Sequence, residues 1–331
     1  MSRGVLLAAG LSLLFICNLP WALAPTETPE VPRLGSEAAV MDDGYRLPLR
    51  RWGDPSRARG LVLALHGFND YGSAFAGLGD YLGAQDRLVY AVDQRGFGTT
   101  AQRGRWPGED RLVSDLLALV DLLRERHPGL PITLVGESMG GAVLLAAAPR
   151  LRGIQGLVLI APAVWSRDTM PGYQRLLLAA AVRTFPGLEL TGRGLGIRPT
   201  DNDPFWRSYS ADPLVIKATR VDALWGVANL MDQAARSSPP PDIPVLLLYG
   251  EHDQIIPKGA FCAWLRRIDE RQSGLRLVLY DKGWHMLTRD RQGAWVLADI
   301  AAWIQDPTAP LASGQETAID GGRIKDLCPK G

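Results

Sequence analysis

The sequence predicts an α/β fold: a mostly parallel, doubly wound sheet of about eight strands carrying a largely helical cap insertion. Three observations predict it. Short apolar runs recur along the chain, at Leu61–Leu65, Leu88–Val92, Ile132–Val135, Leu157–Ile160, Val245–Tyr249 and Leu275–Tyr280. They do not alternate with polar residues, so both faces of each strand are expected to be covered. Helical stretches separate them, such as Asp110–Arg126, whose leucines recur at helical spacing. The rhythm then breaks between Pro162 and Pro241, where no clear strand is legible and prolines mark both ends.

The elements follow in order. Residues 1–24 stand apart: Arg3 is the only early charge, and Gly4 to Ala24 is uncharged and mostly apolar. This reads as a signal peptide or a membrane anchor rather than part of the fold. It predicts an exported protein, periplasmic or secreted, or one held near a membrane by its N-terminus. Residues 25–35, rich in Pro and Glu, read as a linker. Residues 37–52, with the turn Asp42-Asp43-Gly44, read as an opening hairpin. Residues 36–161 and 242–305 make the core, 162–241 the cap, and 306–331 a C-terminal tail. Within the cap, Leu176–Val182 and Ala223–Ala235 read as helical.

Composition limits the function classes. Lys and Arg total 36 against 35 for Asp and Glu, so there is no basic excess to bind nucleic acid. Apolar residues form 47% of the 331, enough for one large core and an insertion. No Cys/His cluster has metal-ligand spacing, and no metal is expected. With Cys17 in the N-terminal segment, Cys262 and Cys328 remain in the folded part. In an oxidising compartment they are able to pair; otherwise they are a buried thiol and a loose terminal one.

One pentapeptide carries the chemistry. Gly136-Glu137-Ser138-Met139-Gly140 lies between the run ending at Val135 and a stretch rich in Ala and Leu. A Ser between two glycines at a strand-to-helix turn is held out, strained, at the positive end of a helix. A hydroxyl needs a base to become a nucleophile. Of the four histidines, His127 ends a helix, where a cation suits the dipole, and His66 opens the loop His66-Gly67-Phe68. His252 adjoins Asp253 beyond the run Val245–Tyr249, and His285 follows the run Leu275–Tyr280. Functional groups in parallel sheets gather outside the carboxyl ends of strands. Ser138, Asp253 and His285 are therefore the candidate nucleophile, orienting acid and base, with Glu251 a rival acid. Candidate oxyanion donors are the backbone amides of Phe68 and Met139.

Together these stretches resemble the monoacylglycerol lipase and lysophospholipase branch of the α/β-hydrolase superfamily, the serine aminopeptidase S33 type. The matching residues are Leu65-His66-Gly67-Phe68, Asp93-Gln94-Arg95-Gly96-Phe97-Gly98, the elbow at Gly136–Gly141, Gly250–Pro257 and Gly283–Leu287. The resemblance spans residues 36–305 and is loose in the middle. It implies hydrolysis of long-chain acyl esters without metal or organic cofactor, beneath a cap. Trp165, Met170, Leu176, Trp206, Leu224 and Trp225 are the cap candidates for substrate contact. A peptidase or amidase on the same triad would need carboxylates for a free amine, with Asp201, Asp203 and Asp212 available. An acyltransferase also stays open. A silent binding protein is disfavoured, because all three triad positions are filled.

Overall fold

The computed structural model describes residues 30–192, 194, 196–268, 274–317 and 328. The expected targeting segment, residues 1–24, and the start of the linker lie outside the described residues. Among the described residues, no helix is long and apolar enough to cross a membrane.

The expected runs become strands. β1 (Arg33–Leu34), β2 (Ala38–Val40), β3 (Arg46–Trp52), β4 (Gly60–Leu65), β5 (Arg87–Val92) and β6 (Ile132–Glu137) form the first half. β7 (Gly156–Ile160), β10 (Val245–Gly250), β11 (Leu275–Tyr280) and β12 (Glu316–Thr317) complete the sheet. Between β7 and β10 the chain forms β8 (Glu189–Thr191) and β9 (Ala218–Arg220), which pair only with each other. Among the described residues the sheet has ten strands in the order β1-β2-β3-β5-β4-β6-β7-β10-β11-β12. Strands β5, β4, β6, β7, β10 and β11 are parallel, with antiparallel pairing at both edges. The strands beyond the expected eight are the two-residue edges β1 and β12. β1 lies in the segment read as linker, so that segment ends inside the sheet.

Strand pleat explains the two cores. In β4, Leu61, Leu63 and Leu65 face one apolar layer while Val62 and Ala64 face the other. In β10, Val245, Leu247 and Tyr249 share the first layer, and Leu246 and Leu248 the second. Helix α1 (Ala76–Gly83) and helix α8 (Gly293–Gln305) cover the second face. Helices α2 (Glu109–Arg126) and α3 (Met139–Ala147) cover the first. In α2, Leu112, Leu116, Leu119 and Leu123 form the buried stripe. Acidic Glu109 and Asp110 occupy its first turn, and Arg124 and Arg126 its last, matching the helix dipole. Every residue of α3 is buried, which suits a helix lodged between sheet and other helices.

The cap contains α4 (Gly172–Thr184), the β8–β9 ribbon and α5 (Asp203–Ala211). The ribbon was not legible in the sequence, because its three-residue strands carry no apolar alternation. Helix α6 (Val221–Arg236), assigned to the cap by its position in the chain, instead packs against α3. Its buried face holds Val221, Val227, Leu230 and Ala234, so it belongs to the helical layer of the core. Helix α7 (Lys258–Ile268) carries Cys262, which forms a disulfide with Cys328 at a Cα separation of 5.5 Å. The paired reading of the two cysteines is the one the structure adopts.

Candidate active site

Ser138 sits where β6 turns into α3, with φ 51° and ψ −112°. A side chain at positive φ is strained and persists only where packing over-determines it. Here two glycines supply the packing. A Cβ on Gly140 would fall 2.0 Å from the Leu65 carbonyl oxygen, and one on Gly136 would fall 2.6 Å from the Gly140 carbonyl carbon. The elbow is thus pressed onto β4 at a distance only glycine allows. The Ser138 amide donates to the Ile160 carbonyl at 2.9 Å, and its carbonyl accepts from Ala142 and Ala163. The backbone is fixed on both sides, leaving the hydroxyl to face a cavity.

Asp253 and His285 meet from neighbouring strand ends, those of β10 and β11. His285 Nδ1 lies 2.8 Å from Asp253 Oδ2. A carboxylate only accepts, so Nδ1 carries the proton and Nε2 presents a lone pair. Asp253 Oδ1 accepts the Ile255 and Ile256 amides at 2.8 and 2.9 Å, which fixes the carboxylate plane. Burial opposes charging of His285, but Asp253, by charge and hydrogen bond, and Glu137 outweigh it and hold its pKa above the ordinary value. The rival acid Glu251 turns away and takes Lys258 Nζ at 2.7 Å. His252 stacks on Trp284.

His66 is bound into the loop it opens. Its Nε2 accepts the Gln94 amide at 3.0 Å, which leaves Nδ1 to donate to the Gly67 carbonyl at 2.8 Å. Burial pushes its pKa down, so it remains neutral. His127 departs from the expected cation: its Nε2 meets the Tyr90 hydroxyl at 2.9 Å, and burial, with Arg126 and Arg51, lowers its pKa. The braced loop brings Gly67 against the elbow, where a Cβ on Gly67 would meet that of Ser138 at 3.4 Å. Among the described residues, neither the Phe68 nor the Met139 amide donates a backbone hydrogen bond. Residues Asp93 and Arg95 of the neighbouring turn act as pins. Asp93 accepts from Arg50, the Gly72 amide and Thr99, while Arg95 bridges Asp43 and Asp115.

Ser138 and His285 open onto one cavity of ≈ 490 Å³. Its apolar wall includes Phe68, Ile197, Trp206, Val215, Ile216 and Ile255. Of the six cap candidates, only Trp206 lines it. Trp165, Met170, Leu176, Leu224 and Trp225 do not, and the path of the cap explains why. Leu224 and Trp225 ride on α6, which packs on α3, and Trp225 lies beneath the Arg167 guanidinium at 4.5 Å. Trp165 packs against the first-face core, and Met170 follows a short 3-10 helix outside the cavity wall. Leu176 projects from α4 and is 71% exposed. The wall comes instead from the segment through β8, α5 and β9.

Two carboxylates line the cavity unannounced by the sequence reading. Arg289, at the end of a 3-10 helix after His285, reaches Asp70 Oδ2 at 2.7 Å and Glu137 Oε1 at 2.6 Å. The available signal was Glu137 itself: a charge inside a buried elbow demands a buried cation. The cap acids needed for amine recognition are engaged elsewhere. Asp201 accepts the Arg291 amide, Asp203 pairs with Arg198, and Asp212 accepts the Tyr71 hydroxyl. Among the described residues, no group of His, Cys, Asp and Glu is arranged to hold a metal.

Known proteins share both sequence and architecture. The chain is 29% identical over 311 residues to the monoglyceride lipase of Mus musculus, covering 89% of this chain and 99% of that protein. It is 28% identical over 271 residues to the monoacylglycerol lipase of Mycolicibacterium smegmatis, covering 79% and 93%. The crystal structure of Paleococcus ferrophilus monoacylglycerol lipase superposes with a TM-score of 0.66 at 24% identity, over 79% of this chain and 99% of that one. A soluble variant of Saccharomyces cerevisiae monoglyceride lipase, solved with a substrate analog, gives a TM-score of 0.68 at 21% identity, over 86% and 98%. Residues 56–292 match the family described as serine aminopeptidase, S33. With a serine at a strand-to-helix turn and an Asp–His pair at neighbouring strand ends of a mostly parallel sheet, the chain belongs to that family of α/β-hydrolases, among its monoglyceride-lipase-like members.

Proposed function

We propose that this carboxylester hydrolase cleaves monoacylglycerol-type esters through an acyl-enzyme on Ser138. The observation that carries the reading is the contact of Asp253 with His285 Nδ1, behind a cavity that His285 and Ser138 both line. His285 Nε2 takes the Ser138 proton as the oxygen attacks the ester carbonyl. The Phe68 and Met139 amides stabilise the oxyanion. His285 then returns the proton to the departing alcohol, and a water activated by the same nitrogen releases the acid.

The substrate class rests on the wall of the cavity. Ile197, Trp206, Val215 and Ile216 offer apolar surface to an acyl chain, at about 0.8 kcal/mol per buried methylene. The identity to monoglyceride lipases points to glycerol as the alcohol, and a lysophospholipid is the runner-up. The two carboxylates in the cavity already share Arg289, which speaks against a free-amine substrate.

Export is part of the same proposal. The Cys262–Cys328 disulfide suits an oxidising compartment, in keeping with the apolar segment at residues 4–24. Helix α4 buries no residue and exposes Tyr173, Leu176 and Leu177, an apolar face compatible with work near a lipid surface.

The test is hydrolysis by the full chain of short acyl esters, monoacylglycerol, lysophosphatidylcholine and an aminoacyl amide, with Ser138→Ala as control. Preference for monoacylglycerol, abolished by the substitution, is expected. Turnover confined to the amide, or full activity in Ser138→Ala, would overturn the reading.

A further inference from the structure

Arg289 is a buried cation with no counterpart in the proton transfers just described. It leaves the histidine loop four residues after His285 and spans two others. Nη1 holds Asp70 of the oxyanion loop, and Nη2 holds Glu137 beside Ser138. Its side chain is 10% exposed, against 4% for Asp70 and 2% for Glu137. The Arg289 carbonyl accepts Asn202 Nδ2 at 2.9 Å, and the Asn202 side chain also caps α5. The guanidinium carbon lies 5.4 Å from the Phe205 ring and 5.8 Å from the Tyr209 ring. One residue of the loop that bears the base therefore ties together the loops bearing the oxyanion donor and the nucleophile, and also meets the cap.

We propose that Arg289 is a positioning residue, whose guanidinium clamps Asp70 and Glu137 so that the oxyanion loop, Ser138 and His285 keep one reactive geometry. The role rests on the serine-hydrolase reading above. Burying three charges is costly, and a planar fork that meets two carboxylates at once is the side chain able to offset it. The cavity supplies a second reason. Asp70, Glu137 and Arg289 all line the cavity onto which Ser138 and His285 open, so the cluster stands beside the reacting groups.

The charges around His285 give the role its signature. Asp253 and Glu137 favour the imidazolium, and Arg289 opposes it. Around Arg289 stand Asp70, Glu137 and the Tyr209 hydroxyl, whose pKa burial and then Asp70 push up. Removing the guanidinium unmasks Glu137 toward His285. The base then holds its proton to higher pH, and the acidic limb of reactivity moves up.

The experiment uses the full chain, a short acyl ester and a fluorophosphonate that labels Ser138 whatever the natural substrate. Arg289→Met is expected to lower kcat and the labelling rate roughly 100-fold with little change in KM, the scale of a small misplacement of reacting groups. Its acidic limb should move to higher pH. Adding Glu137→Gln should return the limb toward its original position. Arg289→Lys should restore the limb while leaving kcat depressed, because an ammonium cannot span both carboxylates. A thermal melt and the titrated fraction of labelled Ser138 separate misfolding from slow chemistry. An unmoved limb, with rate loss matching the loss of titratable sites, would overturn the positioning role alone. Failure of the unaltered chain to label at Ser138 would overturn the serine-hydrolase reading and this role with it.

Discussion

His285 Nδ1 lies 2.8 Å from one oxygen of Asp253, while the other oxygen of that carboxylate accepts the amides of Ile255 and Ile256. The acid is therefore held by its own loop before it meets the base. Its plane does not depend on the imidazole, and the imidazole depends on it.

That asymmetry makes Asp253→Asn informative. An Asn oxygen can still receive the two amides, so the loop should keep its shape. The amide nitrogen would then face His285 Nδ1 and donate to it, driving the ring proton to Nε2. A protonated Nε2 cannot accept from Ser138. We expect kcat on a short acyl ester to fall about 10⁴-fold with little change in melting temperature. Glu251→Gln, on the Lys258 side of the loop, should leave kcat unchanged.

The charge state of the base sets the pH dependence. In the proposed mechanism His285 must be neutral to accept the Ser138 proton, and its pKa is raised above 6.5 despite burial, chiefly by Asp253. Activity should thus climb with pH through an inflection above 6.5. The folded protein binds this proton more tightly than the unfolded chain. The stability His285 contributes is full below its unfolded pKa of about 6.5 and fades as pH rises through the folded value. A pH–rate profile with its acidic inflection below 6.5 would contradict the assignment.

Much of this site was legible because its signals are local. Gly136 and Gly140 bracket Ser138 within five residues, and the spacing itself encodes the turn. Asp253 and His285 each follow an apolar run whose end marks a strand terminus. The Arg289 clamp was not legible, because its partners lie 219 and 152 residues away and only the folded sheet brings them together. The cavity wall was hidden for another reason. Aromatic content singled out Trp165 and Trp225 as readily as Trp206, and only the folded packing, Trp165 on the first-face core and α6 onto α3, distinguishes them.

The wall can be tested through acyl length. Trp206 lines the cavity and Trp225 does not. Trp206→Ala should raise KM for a long-chain ester by about 10-fold or more, equivalent to one or two kcal/mol of lost apolar contact. Short acyl esters, which leave that wall uncovered, should be affected little. Trp225→Ala should leave the ratio of long-chain to short-chain kcat/KM unchanged, because its ring meets Arg167 outside the cavity. Equal effects of the two substitutions would remove Trp206 from the acyl path.

The disulfide offers a stability test independent of chemistry. Cys262 and Cys328 are 66 residues apart, and both are buried, against α7 and the first-face core. Cross-linking a loop of that length restricts the unfolded chain by about 4 kcal/mol in the chain-entropy account. Arg266 also donates to the Cys328 carbonyl at 2.9 Å, a contact that depends on the tail being held. Cys328→Ser should therefore lower the unfolding free energy by up to that amount in denaturant titration. Turnover of a short ester at 25 °C should not change, since neither cysteine lines the cavity. Dithiothreitol should weaken the unaltered chain to a similar extent and leave Cys328→Ser unaffected. Equal sensitivity of both proteins to the reductant would mean that the bond adds nothing to the fold.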